Sequence, residues 1–188
     1  MKKLCVFCGS STNTAQKYLD LSIEVGALLA ENQIDLIYGA GSIGLMGEMA
    51  DAVLQKGGKV YGVIPEFMVP WEVCHQGLTD LQVVSSMHER KKIMYDMSDG
   101  FVALPGGLGT MDELCEILTW RQLDNHQKPI WILNFDGFYD GLIDHFKKLK
   151  EERFVTEAHF NLIQIKNSMS EIVKEFLKTG KEWVGRKP

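Results

Sequence analysis

Short apolar runs alternate along the chain with longer segments in which apolar residues recur at helical spacing. The runs predict strands over residues 3–8, 35–38, 59–64, 81–84, 100–104, 130–133 and 162–165. The segments between them predict helices over residues 14–31, 45–56, 87–96, 110–123, 138–152 and 170–177. Strands that are apolar on both faces and separated by helices indicate a parallel sheet covered by helices on both sides. We therefore predict an α/β fold, a three-layer sandwich with a mostly parallel sheet of about seven strands.

Length, charge and hydropathy indicate one domain and argue against nucleic acid or membrane as partners. The 188 residues, of which 45% are hydrophobic, suit a single domain over 1–188 with a sizeable core. The net charge of −5 argues against a broad surface for nucleic acid. No uninterrupted apolar stretch is long enough to span a bilayer, and the apolar run near the start is too short for a signal peptide. We expect a cytoplasmic protein that binds neither nucleic acid nor membrane.

Cys5 and Cys8 have the C-x-x-C spacing of a redox pair or of half a zinc site. Both lie in a predicted strand, where positions three apart face opposite sides. No second C-x-x-C or histidine pair in the sequence completes a metal site. We interpret the two residues as buried thiols in a reducing compartment, and we expect no metal.

The strongest chemical signal is a glycine-rich loop between the predicted strand over 100–104 and the helix that follows. The loop is Pro105-Gly106-Gly107-Leu108-Gly109-Thr110. Glycines let the backbone approach a ligand closely, and the N–H groups that begin a helix favour an anion, most often phosphate. The carboxylate of Glu113 follows one turn later. This combination indicates chemistry on a phosphorylated small molecule.

Two further loops follow predicted strands and should open at the same edge of the sheet. They are Cys8-Gly9-Ser10-Ser11 and Gly39-Ala40-Gly41-Ser42-Ile43-Gly44. Ligands of open parallel sheets bind at the carboxyl ends of the strands, near the point where the strand order reverses. The second loop matches the dinucleotide fingerprint, but it follows the second strand, and no acidic residue stands at the expected distance. We expect its backbone to contribute to binding, but not to binding of NAD.

Glu113 has two interpretations at this point. Thr110 and Glu113 fit the capping box T-x-x-E, in which the threonine would precede the helix and the glutamate would bond back to it. Alternatively, the carboxylate acts on a ligand held by the glycine loop. The loop alone does not decide between these roles.

A basic cluster, Arg90, Lys91 and Lys92, falls in the first two turns of the predicted helix over 87–96. The helix dipole disfavours positive charge there by about 0.3–1 kcal/mol per group, so the cluster indicates an anion at the same edge. We assign the ligand contact to Arg90, whose planar fork suits phosphate or a purine edge, and a solvated position to Lys92.

Taken in order, these motifs resemble the Lonely Guy family of cytokinin riboside 5′-monophosphate phosphoribohydrolases, whose members often carry the label lysine decarboxylase. The segment from Pro105 to Glu113 matches the family signature PGGxGTxxE. Other matching stretches are Cys8-Gly9-Ser10-Ser11, the loop over 38–47, Gly62-Val63-Ile64-Pro65, Met87-His88-Glu89-Arg90-Lys91, Leu118-Thr119-Trp120 and Asn134-Phe135-Asp136-Gly137-Phe138-Tyr139. The resemblance extends from the first strand to about Phe154.

The resemblance implies a Rossmann-like domain that hydrolyses the N-glycosidic bond of AMP or an N6-modified AMP to free base and ribose 5-phosphate. It implies that Arg90 and Glu113 are catalytic. It further implies substrate contacts for Glu72, Arg90, Lys91, Gly107, Leu108, Gly109, Thr110, Met111, Asp112, Glu113 and Thr119. The three glycine-containing loops add Ser10, Gly41 and Gly106 to these predicted contacts, and Met87 is added as a residue expected to line the pocket.

The resemblance also implies a homodimer that needs neither metal nor cofactor. Large side chains near the predicted helix end, over residues 119–123, agree with an interface there. The chain departs from the family pattern at three positions, of which Asn13, where a glycine often stands, is the mildest, since asparagine tolerates the left-handed region. Leu108 stands where plant members often have tyrosine, which is expected to change the pocket wall and the base preference, and Ala40 stands where glycine is common.

Two other classes of protein stay open. Nucleotide or molybdenum-cofactor carriers use this fold and similar glycine loops without catalysis, and fold alone does not exclude them. A pyridoxal-phosphate decarboxylase, which the older label implies, requires a Schiff-base lysine, and no lysine here has a setting that recommends it. The pairing of Arg90 with Glu113 favours the hydrolase.

Overall fold

A computed structural model describes residues 1–69 and 74–180 as an α/β sandwich. Its strands are β1 Lys2–Phe7, β2 Ile34–Tyr38, β3 Val60–Pro65, β4 Asp80–Val84, β5 Gly100–Ala103, β6 Ile130–Leu133 and β7 Ile163–Lys166. Its α-helices are α1 Gln16–Glu31, α2 Gly44–Gln55, α3 Met87–Met97, α4 Leu108–Gln122, α5 Asp140–Glu151, α6 Glu157–Phe160 and α7 Met169–Lys178. Two single 3-10 turns, Glu66–Met68 and Phe135–Gly137, follow β3 and β6.

The seven strands form one sheet in the order β4-β3-β2-β1-β5-β6-β7, and each pair of neighbouring strands is parallel. The chain runs outward from β1 to β4 and then returns to the other side of β1 to form β5. The strand order therefore reverses between β1 and β5, where a ligand of such a sheet is expected. The predicted fold class is confirmed.

Alternate strand residues pack on opposite faces of the sheet. One face carries Leu4 and Val6 under α1, α2 and α7, and the other carries Cys5 and Phe7 under α3, α4 and α5. The central strands are buried on both sides, which explains why their sequences are apolar throughout. Cys5 and Cys8 are buried thiols in different clusters, as the spacing predicted.

The helices α3 and α4 lie on the same face of the sheet and both begin at its carboxyl edge. At the start of α3, the Ser86 hydroxyl accepts a hydrogen bond from the Glu89 N–H at 3.2 Å, so Ser86 caps this helix. The Glu89 carboxylate accepts from the N–H and hydroxyl of Ser85, both at 2.8 Å. This arrangement brings the first turns of two helices to the same edge as the loops after β1 and β2.

Three helices begin two residues away from their predicted starts, and one of them is α1, which begins at Gln16 rather than Thr14. α4 begins at Leu108 rather than Thr110, with Gly107 at the capping position. α5 begins at Asp140 rather than Phe138, because the backbone of Tyr139, with φ of −101° and ψ of 10°, lies outside the helical region. Within residues 1–69 and 74–180, no helix combines the length and the apolar character needed to cross a bilayer.

Candidate active site

A cleft of about 320 Å³ opens at the carboxyl edge of the sheet, beside the reversal point between β1 and β5. The elements that follow five strands, β1 to β5, contribute to its wall. The lining residues are Cys8, Gly9, Ser10, Ser11, Met46, Met68, Met87, Arg90, Gly107, Leu108, Gly109, Thr110 and Glu113. A larger cavity, of about 710 Å³, lies at the opposite edge and contains none of the predicted site residues. The chemistry expected from the sequence therefore belongs to the smaller cleft.

The glycine loop after β5 packs against the loop after β1. The Gly9 N–H donates to the Pro105 carbonyl at 3.1 Å, and a Cβ on Gly106 would lie 2.1 Å from the Thr110 Oγ1. Gly106 is therefore required by close packing. A Cβ on Gly107 or on Gly109 would meet nothing within 4 Å. This open side of the loop leaves room for a ligand.

The first turn of α4 presents backbone donors to the cleft. The first helical hydrogen bond runs from the Met111 N–H to the Gly107 carbonyl at 3.1 Å, so the N–H groups of residues 108–110 precede it. Such groups, together with the positive end of the helix dipole, form an anion site. Leu108 extends from this turn with 90% of its surface exposed.

Arg90 is held in the cleft by the backbone of β3 and of the loop after β2. Its Nε donates to the Val63 carbonyl at 3.1 Å and its Nη2 to the Gly39 carbonyl at 3.3 Å, while Nη1 faces the sulfur atoms of Met68 and Met87. Only 4% of the residue is exposed. A Cβ on Gly39 would lie 1.8 Å from Nη2, so this glycine leaves space for the guanidinium.

Glu113 lies beside Arg90, with its Oε1 3.9 Å from the arginine Nη2 and with 6% of the residue exposed. Because α4 begins at Leu108, Thr110 lies inside the helix and Glu113 belongs to its second turn. The capping-box interpretation of Thr110 and Glu113 is therefore wrong. The carboxylate is instead buried beside the guanidinium, which offsets part of the cost of removing either charge from water.

Lys91 faces away from the cleft, although it follows Arg90 directly. Its Nζ lies 3.0 Å from the Asp112 Oδ2 and 3.1 Å from the Glu116 Oε2. Burial alone would lower the pKa of Lys91, but hydrogen bonds to the two carboxylates outweigh it and raise that pKa. Lys92 pairs with Asp96 on the surface at 2.6 Å, which confirms its solvated position.

The structure brings most of the predicted contact residues into the cleft. Those that line it are Ser10, Met87, Arg90, Gly107, Leu108, Gly109, Thr110 and Glu113. Gly106 borders an adjoining pocket of about 170 Å³ that also contains Tyr18 and Phe138.

The remaining predicted contact residues lie elsewhere. Gly41 forms an isolated bridge with Cys74, and Met111 packs against the core cluster under α3 to α5. Asp112 binds Lys91, as described above. The Thr119 hydroxyl donates to the Cys115 carbonyl at 2.8 Å, on a different groove formed with α5 and α6. Glu72 lies outside the described residues. Substrate contacts at these positions stay predictions.

Sequence reasoning did not assign five of the lining residues. They are Cys8, Gly9, Ser11, Met46 and Met68. Three of them belong to the loop after β1, which had been expected at this edge, and Met68 follows the end of β3, where the strand-end rule would have found it. Burial and the nearby Glu113 raise the pKa of the Cys8 thiol, which keeps it protonated and weakly nucleophilic. In the described part of the chain, no group of three or more His, Cys, Asp or Glu side chains forms a metal-binding cluster.

Comparison with solved structures identifies the architecture. A molybdenum cofactor carrier protein from Chlamydomonas reinhardtii matches with a TM-score of 0.71 at 22% identity, over 95% of this chain and 99% of that one. A molybdenum cofactor binding protein from Rippkaea orientalis matches with a TM-score of 0.69 at 21% identity, over 95% and 99% of the two chains. At these identities the likeness establishes the fold alone.

Sequence comparison identifies the family. The family profile described as possible lysine decarboxylase matches residues 46–176. A cytokinin riboside 5′-monophosphate phosphoribohydrolase of Arabidopsis thaliana is 44% identical over 174 residues, which are 93% of this chain and 82% of the relative. A probable enzyme of the same name from Oryza sativa subsp. japonica is 45% identical over 86% of this chain and 71% of the relative. The chain therefore belongs to the Lonely Guy family of cytokinin riboside 5′-monophosphate phosphoribohydrolases.

Proposed function

We propose that this chain hydrolyses the N-glycosidic bond of a cytokinin riboside 5′-monophosphate or of AMP, releasing the free base and ribose 5-phosphate. The observation that carries the proposal is the buried pair of Arg90 and Glu113 in the cleft, 3.9 Å apart, beside the first turn of α4. The names of relatives that are 44% and 45% identical to this chain support the same activity.

The N–H groups of residues 108–110 are the proposed site of the 5′-phosphate. A phosphate there would accept from several backbone donors and lie at the positive end of the α4 dipole. Binding energy from this remote group would hold the ribose in the geometry that the reaction needs. The open space beside Gly107 and Gly109 supports this placement.

Glu113 is the proposed catalytic carboxylate. As the bond from C1′ to the base nitrogen breaks, its electron pair leaves with the base and positive charge develops on the ribose. A carboxylate beside C1′ would stabilise that charge and would accept a proton from the water whose oxygen bonds to C1′. The leaving base takes up a proton from solvent and Glu113 releases the proton that it accepted, so the products are neutral base and ribose 5-phosphate.

Arg90 is the proposed anchor of the nucleotide and assists the departure of the base. Backbone carbonyls occupy its Nε and Nη2, whereas Nη1 faces the thioethers of Met68 and Met87 at 3.9 and 3.8 Å. Thioether sulfur is a weak acceptor, so Nη1 is the nitrogen best placed to donate to a substrate atom. The adaptable methionine side chains would form an apolar wall for the base and its N6 substituent.

A panel of substrates tests the proposed function. The purified chain is incubated with AMP, N6-isopentenyl AMP and the matching unphosphorylated nucleosides, and free base is measured by chromatography. We expect both monophosphates to be cleaved, and their kcat/KM to exceed those of the nucleosides by at least about a hundredfold, since the nucleosides lack the anion that α4 would bind. Equal kcat/KM for AMP and adenosine would contradict a phosphate site at the first turn of α4. Tight AMP binding without release of base would support a carrier instead.

We propose further that the protein is a homodimer that uses the outer face of α4. Thr119 and Leu123 are exposed there, and Leu123 has 63% of its surface accessible. The groove beside Thr119 is lined by Phe146 and Phe160 and would bury apolar surface against a second copy. Light scattering at micromolar concentration should give about twice the chain mass. A species of 21.2 kDa would contradict the proposal.

A further inference from the structure

A network of four polar side chains joins α3 to α4 directly behind the cleft. Lys91 follows Arg90 on α3, and Asp112 precedes Glu113 on α4. The Lys91 Nζ lies 3.0 Å from the Asp112 Oδ2 and 3.1 Å from the Glu116 Oε2, with 8% of the lysine exposed. The network therefore connects the immediate neighbours of the two proposed catalytic residues.

Tyr95, one turn after Lys91, completes this network. Its hydroxyl lies within donating distance of the Glu116 Oε2, at 2.9 Å, and of the Glu113 backbone carbonyl, at 3.3 Å. Burial raises the pKa of Tyr95, so the phenol stays a neutral donor. We call Lys91, Tyr95, Asp112 and Glu116 the α3–α4 clasp. It reaches the backbone of the proposed catalytic glutamate itself.

Charge gives the clasp a second effect. Asp112, Glu113 and Glu116 place three carboxylates within about one turn of α4, and Lys91 is the cation that contacts two of them. Like charges this close repel one another. Loss of Lys91 would expose Glu113 to that repulsion and would remove the two ion pairs between α3 and α4, so the separation between Glu113 and Arg90 would change.

We propose that Lys91 is a positioning residue, which sets the geometry of Arg90 and Glu113 through the α3–α4 clasp and affects turnover rather than substrate binding. This inference rests on the proposed function. Lys91 is absent from the residues that line the cleft, and both of its carboxylate partners lie on α4. It therefore differs from the substrate contact that the family resemblance implies for this position.

The test separates kcat from the affinity for AMP in Lys91→Met, Glu116→Gln and the double variant. Misplacing a catalytic group by about 1 Å costs about a hundredfold, so we expect Lys91→Met to lower kcat by roughly tenfold to a hundredfold. The dissociation constant for AMP, measured by calorimetry in a Glu113→Gln background, should change by less than about twofold. Glu116→Gln should also lower kcat. The kcat of the double variant should be no lower than that of Lys91→Met, because both substitutions remove the same ion pair between Lys91 and Glu116.

Lys92→Met is the matched control. The Lys92 Nζ lies 2.6 Å from the Asp96 Oδ2, so this variant also removes a lysine–carboxylate pair of α3, but an exposed one within the helix that does not join α3 to α4. It should leave both the melting temperature and kcat near their wild-type values. Lys91→Arg keeps a cation that can reach two carboxylates and should recover part of the lost kcat.

Three results would overturn the inference. One is a wild-type kcat in Lys91→Met. Another is a tenfold or larger loss of AMP affinity with kcat retained, which would make Lys91 a substrate ligand. The third is additive effects of Lys91→Met and Glu116→Gln. If Lys91→Met does not fold, Glu116→Gln and Tyr95→Phe must show the loss of kcat at unchanged affinity. Wild-type protein that releases no base from any monophosphate defeats the proposed function itself, and this inference with it.

Discussion

At the scale of single residues, the position of the Arg90 guanidinium depends on the space that the neighbouring backbone leaves at Gly39. Gly39 matched the first glycine of a dinucleotide fingerprint in the sequence. In the structure, its missing side chain makes room for the Arg90 Nη2, and its carbonyl accepts from that nitrogen. The same glycine pattern thus serves to admit a buried arginine. Sequence spacing alone does not distinguish this use from close approach to a cofactor.

Gly39→Ala tests this relation. Its Cβ would lie 1.8 Å from Nη2, so Arg90 must leave its two carbonyl partners. We expect AMP affinity and kcat/KM each to fall by at least about tenfold, as for loss of a charged hydrogen bond. Gly141→Ala in α5 is the control, because a Cβ there meets nothing within 4 Å, and it should leave both quantities unchanged. Wild-type affinity in Gly39→Ala would show that Arg90 does not hold the nucleotide.

A second residue, His126, should make stability depend on pH. It is buried, its Nε2–H donates to the Ile117 carbonyl at 3.0 Å, and its Nδ1 accepts from the Lys128 N–H at 3.1 Å. Burial is the main cause that lowers its pKa to about 4, from an unfolded value near 6.5. Between these values the unfolded chain binds the extra proton. The free energy of unfolding is therefore highest above pH 6.5, where His126 is neutral in both states. It decreases as the pH falls towards 4, by up to about 3 kcal/mol.

Urea unfolding at pH 7, 6 and 5 measures this effect. The free energy of unfolding should decrease across that range in the wild type and much less in His126→Gln, in which the titrating group is gone. The range stops at pH 5 because carboxylates dominate below it. Equal slopes in the two proteins would assign the pH dependence to other groups.

At the scale of elements, the pattern predicted every strand of the described sheet with ends within about two residues, because buried parallel strands are short, apolar and separated by helices. The start of α4 was predicted wrongly, because the T-x-x-E spacing imitates a cap. The observed helix begins two residues earlier, with Gly107 at the capping position. The four-residue helix α6 was not predicted, since one turn is too short to carry a period.

The backbone of the loop after β2 explains why glycine is common at the position of Ala40 in the family. Ala40 stands where glycine is common, and its backbone is left-handed, with φ of 65°. An L-residue in this region costs about 1–2 kcal/mol relative to glycine. The position therefore favours glycine for conformational reasons, and the alanine here is tolerated within a buried cluster with Ile64 and Cys74.

At the scale of the whole molecule, the sheet topology explains which part of the site the sequence could reveal. The loops with recognisable motifs follow strands that end next to the reversal point. They therefore lie close together, and their residues line one cleft. The direction of a helical side chain depends on packing between helices, which a single sequence does not show. Arg90 and Lys91 are neighbours in sequence, yet one lines the cleft and the other joins α3 to α4.

The central claim is that Glu113 performs chemistry on a nucleotide held by the glycine loop. The most direct measurement is the rate of base release by Glu113→Gln, with thermal unfolding and AMP affinity measured on the same protein. Because α4 is capped at Gly107 and not by Glu113, the variant should keep the fold, although loss of the charge beside the buried Arg90 should lower its melting temperature. It should bind AMP with similar affinity, while kcat falls by at least about a hundredfold through loss of the charge and of the proton acceptor. Turnover near the wild-type rate in this folded variant would contradict the mechanism.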